Sequence, residues 1–401
     1  TEKLNGYGPL AGVKVVELCE WVAAPACVRC LSEMGATVIK VEPPYGDAQR
    51  TQGPGFGCEQ TDMEDPTIDL NNTNKNFVSI NLKNEEGMKF MKKLLADADI
   101  FVNNLRDKAL NKMGLDYETL HKEFPTLIWA QMRGYGEYGP EKDSPGFDAV
   151  CWAARGGVAN VFREDGESPA IAPQAFGDYN VGHMLATGIV SALFNRTRTG
   201  KGEKVVTNLY AGAIWGGNIG ICATQFGAPY PKSRKHVPNP FNNTYRTYDD
   251  KWIYICMPQY DKYYPMMMGL FGHEDQIENP DTNNLTSLKA SGKNVEVIDW
   301  LEKAFAKKTF DEWMAIFKEN EVPAQKCFRY TDVVKDEEAY DNDALRMVEY
   351  EAYGKRALPM TPVRFGSYGD PPVVLSKPIG YHTAEFMHDY GYSDEEIAKI
   401  A

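Results

Sequence analysis

Over its first hundred residues the chain alternates short apolar runs with helical signals, and this rhythm narrows the possible folds more than any other feature. Val13 to Leu18 is a largely apolar run, Pro25 stands where a helix would begin, Gly35 ends it, and Thr37 to Glu42 is the next apolar run. Strand, helix and strand in that order form a βαβ unit with parallel strands. Val78 to Leu82 then reads as strand, Glu85 to Ala96 as helix, and Ile100 to Val102 and Leu127 to Met132 as strands. Repetition of the unit predicts an α/β fold, a parallel sheet covered by helices. Gln52 to Asn76, rich in Gly, Asp, Asn, Thr and Pro, reads as a long surface loop.

Further on, an amphipathic helix runs from Asp178 to Gly200, with apolar residues at Val181, Met184, Leu185, Ile189 and Leu193. Lys204 to Asn208 follows as strand and Ala211 to Ile221 as an apolar helix. Composition changes at Gly227 to Asn243, where a linker is placed. Asn243 to Tyr248 and Lys251 to Cys256 suggest a hairpin around Asp249-Asp250, with helices at Tyr260 to Phe271, Val295 to Lys307 and Thr309 to Glu319. From about Val322 the chain is loop-rich, and it closes with a short helix at Ser393 to Ala401. At 401 residues more than one core is expected. The expected division is a large α/β part at 1–226, a smaller α+β part at 227–321, and a return segment at 322–401.

The net charge of -13 argues against a nucleic-acid partner, so an anionic substrate must be met by local cations. Lys40, Arg106, Lys112 and Arg133 lie near predicted strand ends, although each alone is commonly a solvated surface charge. No apolar run approaches the ~18 residues of a membrane span, and Thr1 to Gly12 lacks the apolar centre of a signal peptide. A cytoplasmic protein without membrane attachment is expected. The eight scattered cysteines are read as reduced thiols, Cys27-Val28-Arg29-Cys30 included, since no second pair completes a zinc site. Six dispersed histidines give no metal motif.

Gly134-Tyr135-Gly136-Glu137-Tyr138-Gly139 matches G-x-G-x-x-G, but Pro140 to Gly146 after it is turn chemistry and not the helix a dinucleotide site needs. The first βα turn, Cys19 to Pro25, holds no glycine. No G-x-S-x-G or G-x-x-x-x-G-K-[ST] run occurs either. What remains is carboxylate chemistry at Asp178, placed where loop turns to helix. A helix N-terminus favours an ionised carboxylate and offers amides to an oxyanion. On local pattern alone a structural N-cap is the commoner role for such an aspartate.

Taken together, Pro9 to Leu18, Ala23-Ala24-Pro25, Gly35 to Pro43, Arg133-Gly134-Tyr135-Gly136, Gly177-Asp178 and Arg198 to Gly202 resemble the family III CoA-transferases, the superfamily of formyl-CoA transferase and α-methylacyl-CoA racemase. Asp69 to Lys75 and Pro145 to Asp148 carry a closer likeness to transferases of amino-acid fermentation that act on (R)-2-hydroxy acids such as phenyllactate and 2-hydroxyisocaproate. The resemblance implies an open parallel-sheet large domain built from both chain ends, a smaller α+β domain between, and an interlocked homodimer. It implies that Asp178 is the catalytic carboxylate, opening an acyl-CoA, expected to be an enoyl-CoA, through aspartyl anhydride and aspartyl-CoA intermediates. A carboxylate of ordinary pKa would need no general base for this. Positions implied to contact CoA are Val22, Ala23, Leu82, Asn104, Leu105, Lys112, Arg133, Gly134 and Tyr135, with Lys112 and Arg133 nearest the phosphates. Coenzyme A enters as substrate, beside a small carboxylic acid; no tightly bound cofactor is implied, and a 2-hydroxyacyl-CoA dehydratase is the expected partner. Two departures stand out. His236 to Asn243 replaces the glycine-rich loop of formyl-CoA transferases, and Gly146-Phe147-Asp148 replaces the Gly-His-Asp run that supplies the racemase base. A racemase or epimerase, or a non-catalytic CoA-binding partner of a dehydratase, are the alternatives.

Overall fold

The structure, a computed structural model, describes Leu4 and residues 7–400; Ala401, the end of the expected last helix, lies outside them. Six strands, β1 (Lys14–Leu18), β2 (Thr37–Glu42), β3 (Lys75–Ser79), β4 (Ile100–Asn103), β5 (Ile128–Arg133) and β6 (Lys204–Asn208), pair in the order β3-β2-β1-β4-β5-β6. Every pair is parallel, as the alternating sequence pattern requires. β3 begins at Lys75, three residues before the apolar run at Val78, because its first two residues are polar yet buried. Lys75 Nζ reaches Glu17 Oε2 at 2.8 Å, and Asn76 Nδ2 donates to the Val38 carbonyl at 3.0 Å. Those partners offset the cost of burying the groups.

The expected loop from Gln52 to Asn76 is in part a helix, Pro66–Asn72. Asp65 caps it by accepting the Thr67 and Ile68 amides, and proline occupies the first turn, where a missing N–H costs nothing. The apolar stretch expected as one helix from Ala211 to Ile221 is broken at Gly217 into Leu209–Gly216 and Asn218–Thr224. The loop-rich tail holds an antiparallel hairpin, β10 (Leu345–Tyr350) with β11 (Gly354–Pro359).

Two compact units emerge. The first comprises the described parts of residues 1–158, 171–221 and 337–401. Its C-terminal segment covers the otherwise open edge of β3: His382 donates its amide to the Phe77 carbonyl at 2.9 Å and accepts the Phe77 amide on Nδ1 at 3.0 Å. The second unit comprises residues 159–170 and 222–336. Its sheet is β7 (Asn242–Arg246), β8 (Trp252–Cys256) and β9 (Ala324–Lys326), antiparallel throughout. Trp313, Phe305, Phe317 and Tyr245 fill its core.

Candidate active site

Strand order reverses between β1 and β4, and in open parallel sheets ligands bind beyond the carboxyl ends of the strands flanking that reversal. A cleft of about 380 Å³ lies there. Glu20 and Trp21 follow β1, Asn104 to Arg106 follow β4, Arg133 ends β5 with Gly134 after it, and Asp178 completes the lining with the turn around Pro145 to Phe147.

Asp178 reaches the cleft through a close helix crossing. The helix Phe176–Thr199 packs on the helix Ala23–Glu33 at Gly182, where a Cβ would stand 2.7 Å from the Ala23 carbonyl oxygen. Only glycine allows that approach, one turn beyond Asp178, so the first turns of both helices meet at the cleft. Asp178 is not the N-cap expected from the sequence. Ala175 holds that position, with φ of 58° and no side-chain cap, and Asp178 sits inside the first turn. Its half-buried carboxylate has no hydrogen bond or ion pair among the described residues.

A second carboxylate lies beside it. Asp148 is buried against Gly177, where a Cβ would fall 2.3 Å from Asp148 Oδ1 and 2.3 Å from the Trp152 ring. The Gly177 and Asp178 amides, orphaned at the helix start, face Asp148 and favour its charge, although Oδ1 lacks a bond of good geometry. Burial still lifts Asp148 to about 6. Burial, and then the Asp148 charge, lifts Asp178 to about 7. The ordinary pKa expected from the sequence is therefore corrected, and Asp178 ionises near neutral pH.

A different cluster underlies the same β1 turn. Lys40 Nζ meets Asp47 Oδ2 at 2.9 Å, Glu17 Oε1 at 3.2 Å and the Cys19 carbonyl at 2.9 Å, all fully buried. Burial alone would lower Lys40, but Asp47, Glu17 and Glu42 outweigh it and raise the lysine. Among the described residues no group of three or more His, Cys, Asp or Glu is placed to hold a metal. No helix there is long and apolar enough to cross a membrane. The eight cysteines are free.

The family model of CoA-transferase family III matches residues 10–383. The chain belongs to that family. It is similar to the cinnamoyl-CoA:phenyllactate CoA-transferase of Clostridium sporogenes, 40% identical over 99% of this chain and 97% of that relative. It is also similar to the (R)-2-hydroxy-4-methylpentanoate CoA-transferase of Clostridioides difficile, 39% identical over 97% of each chain. Among solved structures, Rv3272 of M. tuberculosis aligns with a TM-score of 0.80 at 28% identity, over 95% of this chain and 100% of that one. A CAIB/BAIF family protein from Brucella suis aligns with 0.78 at 26%, over 95% and 99%. The chain is thus a CoA-transferase, and enzymes of this kind take CoA thioesters as substrates.

Within this family III enzyme, Val22, Ala23, Asn104, Leu105, Arg133 and Gly134 line the Asp178 cleft together. Leu82 instead packs on the main core, Lys112 is exposed on the helix Asp107–Met113, and Tyr135 lies beneath the Arg155 guanidinium at 5.2 Å; none of the three lines the cleft. Of the basic candidates, Lys40 is locked in the buried cluster. Arg133 is engaged by Asp107, Nη1 to Oδ1 at 2.7 Å and Nη2 to Oδ2 at 3.2 Å. Arg106 and Lys142 also line the cleft, and neither is in an ion pair among the described residues. Lys142 was invisible as a candidate because it lies in the turn after β5, away from any strand end. Asp148 was visible in the Gly146-Phe147-Asp148 run, but its pairing with the helix start is a long-range contact.

Proposed function

We propose that this enzyme moves CoA from an enoyl-CoA to an (R)-2-hydroxy acid, with Asp178 as nucleophile. The observation that carries the proposal is an unpaired carboxylate in a cleft, in the first turn of a helix with orphaned amides. The Asp178 carboxylate attacks the thioester carbonyl, giving a mixed anhydride and CoA thiolate. Thiolate attack on the aspartyl carbonyl forms aspartyl-CoA and releases the donor acid. The incoming acid's carboxylate attacks that thioester, freeing thiolate again and forming a second anhydride. Thiolate then attacks the new acyl carbonyl, and Asp178 leaves as carboxylate. Each oxyanion calls for a backbone N–H donor, and one such donor is typically worth ~3 kcal/mol of barrier.

Val22, Ala23, Asn104, Leu105, Arg133 and Gly134 are the proposed CoA contacts, with Arg106 and Lys142 as the cations free to meet phosphate. The names of the two Clostridium and Clostridioides relatives support the 2-hydroxy acid acceptor, and the first supports an enoyl-CoA donor. Phe147 lines the cleft and carries no group that can remove an α-proton, which disfavours racemization. A homodimer is supported by apolar side chains left exposed on a lone chain, Val190, Phe194, Ile214, Trp215 and Ile219. Eight free thiols suit the cytoplasm, and a 2-hydroxyacyl-CoA product is what a dehydratase would take. The test is chromatography of CoA esters after mixing the enzyme, cinnamoyl-CoA and (R)-phenyllactate. Phenyllactyl-CoA formed in step with cinnamate is the expected result, and thioester hydrolysis without transfer would refute it.

A further inference from the structure

Trp21 is a bulky residue in left-handed backbone geometry, with φ of 69°. Such strain persists only where the surroundings over-determine it, and it concentrates at functional clefts. Here the clamps are explicit. Asp47 Oδ1 accepts the Trp21 amide at 2.9 Å, and the other oxygen of Asp47 is held by the buried Lys40 at 2.9 Å. On the preceding residue, the Asn104 carboxamide accepts the Glu20 amide at 3.2 Å and donates to the Glu20 carbonyl at 2.7 Å.

The product of these clamps is an indole on the lining of the Asp178 cleft, edge to face with Phe147 at 5.4 Å and 87°. Phe147 is 54% exposed, a large apolar ring left open on a lining that also carries the charged Glu20, Arg106 and Lys142. It directly precedes Asp148, which touches Gly177 beside the nucleophile. The ring pair is therefore tied through two short links to the place where the acid's carboxylate must arrive.

We propose that Trp21 and Phe147 form the wall that reads the side chain of the acceptor acid, selecting 2-hydroxy acids with aromatic or branched apolar side chains over small ones. This rests on the transferase reading above. Rings at this angle present both an edge and a face, which suits an aryl group or a branched alkyl group alike. A methyl-sized side chain leaves the wall unfilled.

The test compares wild type, F147A and W21A with (R)-phenyllactate, (R)-2-hydroxy-4-methylpentanoate and (R)-lactate as acceptors, using one enoyl-CoA donor throughout. F147A removes a ring that is more than half exposed, so its folding is secure even if W21A is impaired. Expected is a fall of about 10- to 100-fold in kcat/KM for the two larger acids, with lactate held within about threefold. An active wild type whose variants lose all three acids alike, or lose none, overturns the wall and leaves the transferase standing. A wild type inactive on every acid rejects the proposed transfer from an enoyl-CoA to 2-hydroxy acids, and the wall with it.

Discussion

Two clusters of charge sit at the same edge of the parallel sheet and are treated in opposite ways. In the first, Lys40, Glu17, Asp47 and Lys75 are fully buried and every ion has an opposite partner within 3.2 Å. In the second, Asp178 and Asp148 are like charges with no cation bound to either among the described residues, and both are pushed towards neutral pH. The first fixes geometry, because a compensated network resists movement of any member. The second is where the proposed mechanism places reactivity, because a carboxylate with no fixed partner is free to attack. On that proposal, one fold separates charges that build from charges that act.

Removing the active member should break the second cluster alone. Asp178→Ala is expected to lower transferase kcat/KM by about four orders of magnitude or more, with no loss of melting temperature, since burial already disfavours the charge it removes. Breaking the first cluster should do the reverse. Lys40→Met leaves Asp47 and half of Glu17 buried without compensation and should cost about 3–5 kcal/mol of stability in denaturant titration. Activity per folded molecule should suffer far less than in Asp178→Ala. Gly177→Ala probes the join between Asp148 and the helix start. Its added methyl must displace Asp148 and Trp152, and about 1–3 kcal/mol is expected from the crowding.

The smallest expected effect is the sharpest. With the ionised form of Asp178 as the proposed nucleophile and its pKa raised, kcat/KM should fall as pH drops below about 7. In Asp148→Asn the neighbouring charge is gone and the acid limb should move to lower pH. The move should be partial, because burial is the larger cause of the elevation. A limb that stays in place in pH-rate profiles would show that the two carboxylates are not coupled.

Most of the parallel sheet could be read from the chain because strands buried on both faces leave unbroken apolar runs, as in Val15-Val16 and Ile100-Phe101-Val102. The hairpin β7–β8 and the helix Tyr260–Phe271 were likewise marked by local turn chemistry and periodicity. What stayed hidden was decided at a distance. Lys75 and Asn76 begin β3 because Glu17 and Val38, far off in sequence, satisfy them. Lys40 looked like a cation for a ligand but is consumed by a cluster assembled from three segments. The cap before Asp178 was misplaced because Ala175 takes a left-handed conformation that its residue type does not announce. Asp65-Pro66, by contrast, was a readable helix start passed over within a polar stretch.

The central claim is that Asp178 is held unpaired in order to open a thioester. The most direct measurement is peptide mass spectrometry of enzyme incubated with cinnamoyl-CoA and hydroxylamine, without an acceptor acid. A hydroxamate on Asp178, absent when CoA ester is omitted, is the predicted result. Full transferase activity with no modification at Asp178, or a hydroxamate formed at another carboxylate, would contradict the account.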